Sequence, residues 1–353
     1  MKLAVISLGG KSSIEIVKYA KEYFDEAENI DLRKIAVNIT PQGSKVFYEA
    51  QPLKEYDCIY IRGSFRYALS QKAITHALEG KCYMPISSDA FIYAHDKFLT
   101  TIPLEKNKVE FPGTYLCSTT EESKKLLERV NYPIIIKIPS GTQGKGVLFA
   151  DSPESGKSIL DTLEIFNQSN LIQEYIETNG TDLRIIVGGE KVLASMKRKA
   201  PLQEIRANIH SGGMGEKVEI TEDIRDLAIR ASQAIKAELC AIDILQAGIR
   251  NYVLEINLSP GLDGISNAIG KRVAEDVAKF LAKKTKEYLE KKEKIKAGES
   301  TEDPEERREI ITNLKIKEGV IKLPQVVTKL TGLLNNDEVN IITKKGKVII
   351  KKS

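Results

Sequence analysis

Over the first ninety residues, apolar positions switch between a strand pattern and a helical period. KLAVISL, residues 2–8, is an apolar run of strand length, and SSIEIVKYAKEYF, 12–24, spaces its apolar residues as an amphipathic helix does. RKIAVNI (33–39) and DCIYIRG (57–63) read as further strands, and QKAITHALEG (71–80) as a second helix. Strands alternating with helices predict an open parallel sheet. The LGG after the first strand is a tight turn without the full glycine fingerprint of a dinucleotide site. Arg62 and Arg66 follow a strand, at the carboxyl end where open sheets bind ligands.

Beyond about residue 93 the rhythm changes. YPIIIKIPSGTQGKGVLFA (132–150) is strand, glycine-rich loop, strand; NLIQEYIE (170–177) is another strand; TDLRIIVGGEKVLASMKRKA (181–200) is a hairpin turning at Gly188-Gly189. DIRDLAIRASQAIKAEL (223–239) is an amphipathic helix that feeds a second hairpin, AIDILQAGIRNYVLEINLSPGL (241–262). A long helix follows from about residue 269, and its apolar stripe dwindles after Tyr288 and Leu289. Residues 294–309 have almost no apolar content and predict a flexible linker; the last forty return to a strand-like pattern.

Polar residues that interrupt these runs are the candidate chemistry. With the turn centred on Ile249, an antiparallel register sets Asp243 opposite Glu255, and Asn257 shares a strand face with Glu255. Like charges facing each other across a ladder destabilise it. A divalent cation would reconcile them, since all three groups offer the hard oxygen ligands that suit magnesium or manganese; an edge strand with solvated acids would leave the same pattern. Lys137 breaks the strand IIIKI and needs a partner if buried. Gly141, Gly144 and Gly146 follow it, and glycines let backbone N–H groups approach an anion closely. The spacing is not that of a Walker motif. Arg198, Arg206 and Asn208 form a cationic and amide cluster just before the acidic hairpin, suited to phosphate or acyl-phosphate oxygens. No Ser, Cys or His pairing suggests a covalent nucleophile.

Composition narrows the class. The chain of 353 residues is 42% hydrophobic and 29% charged, the balance of a globular protein with two or three domains. No apolar run is long enough for a transmembrane helix, and the amino-terminal run is too short for a signal peptide. Four widely spaced cysteines and three histidines disfavour disulfides and zinc, and fit a reducing cytoplasm. Residues 314–353 hold nine lysines and three acids, a charge of +6 against −2 on the remainder, so only the tail suggests a nucleic-acid partner.

Together, DKFLTT, IIIKIPSGTQGKGV, IQEYI, GTDLRIIVGG, IRANIHSGG and AIDIL…VLEINLSPGLDGI resemble, in this order, the RimK-type carboxylate–amine ligases of the ATP-grasp superfamily. The resemblance covers about residues 1–285 and implies an α/β (α+β) architecture. A Rossmann-like pre-ATP-grasp domain (1–92) would precede an ATP-grasp domain (93–285), a charged helix end and linker (286–312), and a small β-rich module (313–353). It implies that Lys97 and Lys137 grip the triphosphate beneath the loop of Gly141, Gln143, Gly144 and Gly146. Glu174, Tyr175 and Ile176 would meet adenine, and Asp182 would help fix the nucleotide. Arg198, Arg206 and Asn208 would face the phosphates and the acyl phosphate. Asp243, Glu255 and Asn257 would hold two magnesium or manganese ions. Arg62, Ser259 and Gly261 would reach the substrate, and the Ser259-Pro260-Gly261-Leu262 loop looks most like the glutamate-adding branch. The implied acceptor is a protein C-terminus or a coenzyme of pterin or deazaflavin type. The tail resembles an AbrB-like swapped-hairpin module, which implies a homo-oligomer and a nucleic-acid partner. A second function is open at this stage: a nucleotide-binding regulator or scaffold whose basic tail binds nucleic acid.

Overall fold

A computed structural model describes residues 1–138, 146–200, 214–296, 315–317, 320–322, 338–344 and 347–352. The chain separates into two compact units, Met1–Lys292 and Glu293–Ser353. The first unit opens with β1 (Lys2–Ser7), α1 (Lys11–Ala20) and β2 (Glu26–Asp31), and closes its parallel sheet in the order β2-β1-β6, with β6 at Cys58–Ile61. The run 33–39 does not join this sheet. It forms β3 (Ile35–Thr40), which pairs antiparallel with β4 (Gly43–Tyr48), itself paired with β5 (Gln51–Pro52). The sheet instead takes the polar segment Glu26–Asp31, where Ile30 is the one fully buried residue. An edge strand needs little apolar content, so the periodicity hid it. α2 (Ala68–Leu78) and α3 (Ala90–His95) lead out of this region.

Two antiparallel sheets follow. A four-stranded sheet orders as β7-β10-β8-β9, from β7 (Thr114–Leu116), β8 (Ile134–Lys137), β9 (Val147–Ala150) and β10 (Leu171–Glu174). It packs against α5 (Thr120–Leu127) and α6 (Pro153–Ile165), both closed at their starts by side-chain caps, Thr119 and Ser152. Between α3 and this sheet lies the short α4 (Thr101–Lys106). A five-stranded sheet orders as β13-β12-β11-β14-β15, from β11 (Thr181–Gly188), β12 (Lys191–Lys199), β13 (Met214–Lys217), β14 (Leu239–Ala247) and β15 (Arg250–Asn257). α7 (Glu222–Ala234), α8 (Asp263–Ile269) and α9 (Val273–Lys296) complete the unit.

The cores divide the unit more sharply than the chain does. Leu127, Ile134, Ile136, Ala150, Leu160, Leu163 and Ile172 form a closed core beneath the four-stranded sheet. The parallel and five-stranded sheets share a single larger core. Two lobes with separate cores can move relative to one another without breaking either, the arrangement a ligand clamp requires. The second unit contains two hairpins, β16 (Lys315–Lys317) with β17 (Val320–Lys322), and β18 (Val339–Lys344) with β19 (Lys347–Lys352). Residues 323–337 and 345–346 lie outside the described residues.

Candidate active site

Asp243 lies directly opposite Glu255, and Ala241 opposite Asn257. The turn is not centred where the sequence suggests, because β14 and β15 close through Gly248 and Ile249, with Ala247 opposite Arg250. A bulge between Asp243 and Ile244 adds one residue on β15 and restores the expected partners at the acids. Gly248 sits at φ +61, a left-handed conformation that costs glycine little.

β14 has a second neighbour, and this changes the electrostatics. Arg184 on β11 stands directly opposite Asp243, and Asp182, two residues earlier on the same face, stands opposite Arg198 on β12. Arg184 donates Nε to Asp243 Oδ1 at 2.8 Å and Nη2 to Oδ2 at 2.6 Å. Arg198 donates to both oxygens of Asp182 at 2.6 Å, and its Nη2 also reaches Asp243 Oδ2 at 2.8 Å. Two guanidiniums and two carboxylates therefore form a buried, neutral row. Burial alone would raise the pKa of Asp243, but the two guanidiniums outweigh it and hold the carboxyl down to about 2. Asp182 has one guanidinium, and there burial prevails, pushing it up to about 6. On the Asp243 side the like charges of the hairpin are thus compensated by Arg184 and Arg198. Arg184 was legible in DLRIIVGG, where period two places it beside Asp182 on one strand face.

Across the cleft, Lys137 at the end of β8 is buried and donates Nζ to Gln173 Oε1 at 2.5 Å; Gln173 Nε2 in turn donates to Thr114 Oγ1 at 2.8 Å. Burial lowers the Lys137 pKa to about 8, opposed by the Glu255 carboxylate and reinforced by nearby Lys97. Burial also lowers Lys97, with Glu255 and Asp96 pulling the other way. Asp96 accepts the N–H groups of Phe98 and Leu99 at 2.8 Å, a turn that fixes the backbone beside Lys97. Lys97, Gln173 and Glu255 line one cavity with His95, Thr101 and Phe111. Gln173 carries no signal in sequence beyond its place in the strand IQE.

The remaining candidates separate. Gly146, at φ +74, closes the loop after β8: its carbonyl accepts Ile138 N–H at 3.0 Å, and an added Cβ would crowd Ile138 at 3.0 Å. Glu174 is anchored by its N–H to Gly113 O at 2.8 Å, and Tyr175 meets Phe149 of β9 edge-on at 5.3 Å, with Ile176 half-buried beside it. Arg62 is buried and donates to Ser13 Oγ, Tyr60 OH and the Pro260 carbonyl at 3.0, 2.9 and 2.7 Å. Ser259 Oγ accepts Gly63 N–H, and Ser12 Oγ accepts Leu262 N–H. Arg62 therefore ties the loop containing Ser259 and the exposed Gly261 to the parallel sheet; Arg66 is on the surface. Gly141, Gln143, Gly144, Arg206 and Asn208 lie outside the described residues.

The donor set fits a partly shared metal. Asp243, Glu255 and Asn257 present two carboxylates and an amide, and Asn257 Oδ1 also accepts Ser259 N–H at 2.9 Å. No three His, Cys, Asp or Glu residues converge among the described residues. Magnesium is usually bound in this way, through one or two carboxylates plus phosphate oxygens and water rather than an all-protein cage.

Residues 94–281 match the RimK-like ATP-grasp domain. A probable alpha-L-glutamate ligase of Nitrosococcus oceani is 33% identical over 288 residues, covering 80% of this chain and 96% of that protein. Among solved structures, the ATP-grasp ligase PsnB with its minimal precursor superposes with a TM-score of 0.63 at 16% identity, covering 80% of this chain and 98% of that one. A RimK domain ATP-grasp protein from Sphaerobacter thermophilus gives 0.61 at 15%, covering 80% and 99%. PsnB has also been solved with its precursor, Mg and ADP. With the two-lobed cleft between Lys137 and Glu255 and a match of this length, the chain belongs to the RimK-like ATP-grasp family.

Proposed function

We propose that this protein is an ATP-dependent carboxylate–amine ligase that joins L-glutamate to a substrate carboxylate through an acyl phosphate. Convergence of Lys97, Lys137 and Glu255 on one cleft between separately packed lobes carries this reading. Both lysines would hold the triphosphate, and Glu174 to Ile176 would meet adenine. Magnesium, as two ions, would neutralise phosphate charge and polarise the transferred group. Asp243, Glu255 and Asn257 would hold it, and Arg206 and Asn208 would steady the acyl phosphate, while Arg198, expected with them, holds Asp182 and Asp243. The amine then displaces phosphate, and no covalent protein intermediate is needed. The glutamate-ligase names of the relatives support the amine, and the neighbour solved with a precursor peptide supports a peptide as acceptor, for which a protein C-terminus is the first candidate. A pterin or deazaflavin coenzyme is the second acceptor class to assay.

The test is incubation with ATP, magnesium, glutamate and each acceptor, following ADP release and product mass. Acceptor-dependent ADP with a product heavier by a glutamyl residue is expected. ADP release that ignores both glutamate and every acceptor would overturn the assignment.

A further inference from the structure

Resting on the metal-ligand reading above, we propose that Arg184 is a positioning residue that keeps a divalent cation out of the site until nucleotide arrives. Asp243 Oδ2 already accepts two hydrogen bonds, from Arg184 and Arg198, and Oδ1 accepts one from Arg184. One lone pair of the carboxylate is left for a metal. Charge reinforces the geometry. Asp182 and Asp243 are balanced by Arg184 and Arg198, and Glu255 and Asp96 by Lys97 and Lys137, so the eight groups together are neutral. A bare dication meets acids whose charge is already balanced, whereas a nucleotide brings negative charge of its own. Arg184 also fixes the Asp243 rotamer, so the free lone pair keeps one direction. The cation therefore enters with, or after, the triphosphate.

Manganese electron paramagnetic resonance on the full chain tests this without turnover. In the nucleotide-free protein Mn2+ should remain largely free, and a non-hydrolysable ATP analogue should tighten its binding by about a hundredfold, the upper range of site-to-site coupling. Arg184→Met should tighten nucleotide-free Mn2+ binding by about tenfold and shrink the effect of the analogue. Arg184→Lys, which keeps the charge but not the fork, should shift less and guards against misfolding of the first variant. Mn2+ that binds the nucleotide-free wild type as tightly as the analogue complex overturns the inference and leaves the ligand assignment standing. Mn2+ that stays free even with the analogue overturns the ligand assignment itself, and the inference with it.

Discussion

Lys137 shows how one residue ties fold to function. Its Nζ is buried beside Gln173, and burial brings its pKa to about 8. Below that value the folded protein bears the cost of a buried charge. The cost fades as pH rises from about 8 toward the ordinary lysine value, so this residue makes stability rise with pH across that window. For binding the sign is opposite: a neutral Lys137 holds phosphate less well, so nucleotide binding near pH 9 should draw in a proton. Calorimetry in buffers of different ionisation enthalpy would read that uptake, and its absence would remove Lys137 from the phosphate site. Lys137→Ala should weaken ATP binding by about 1.5–3 kcal/mol, the worth of a charge-assisted hydrogen bond. The two acids should behave differently. Glu255 is exposed, so Glu255→Gln should abolish magnesium-dependent turnover with little change in melting temperature. Asp243 anchors a buried network, so Asp243→Asn should cost about 3–5 kcal/mol of stability as well as turnover. Equal thermal stability of the two variants would refute the network's role.

At the scale of elements, the parallel and five-stranded sheets are held together partly by the loop after β15. Arg62 reaches the Pro260 carbonyl, Gly63 N–H reaches Ser259, and Leu262 N–H reaches Ser12. Arg62→Ala should release this loop. Hydrogen exchange at Ser259 and Leu262 should quicken, while the strands around Lys137, which have their own core, keep their protection. Faster exchange throughout both lobes would instead make Arg62 a global stabiliser. Ser259 and Gly261 would then reach substrate only as well as this anchor positions them.

For the whole molecule, the compact unit ends at Lys292 while α9 continues to Lys296. Residues beyond it carry the +6 tail and two short hairpins. A forty-residue piece is near the lower limit for folding alone and commonly completes its core by association. A chain ending at Lys296 is expected to retain ligation and to form a smaller oligomer by light scattering. If the tail's acidic partner is nucleic acid, binding by the full chain should fall steeply with salt and vanish on truncation. Loss of ATP turnover on truncation would make the tail part of the catalytic body.

What the sequence determined by itself was local: the strand IIIKI with its lysine, the hairpin that opposes Asp243 to Glu255, the long final helix, and the ordered motifs that mark the family. Such features depend on neighbours along the chain, whose spacing the periods of two and 3.6 reveal. Only the tertiary structure decided which strands became neighbours. It placed the polar segment Glu26–Asp31 in the parallel sheet in place of Ile35–Thr40, because an edge strand makes little demand on hydrophobicity. It also set β11 beside β14, so that Arg184 and Arg198 neutralise Asp243, and brought Gln173 to Lys137. Strand order in a sheet is fixed by how distant segments pack, and no short-range pattern encodes it.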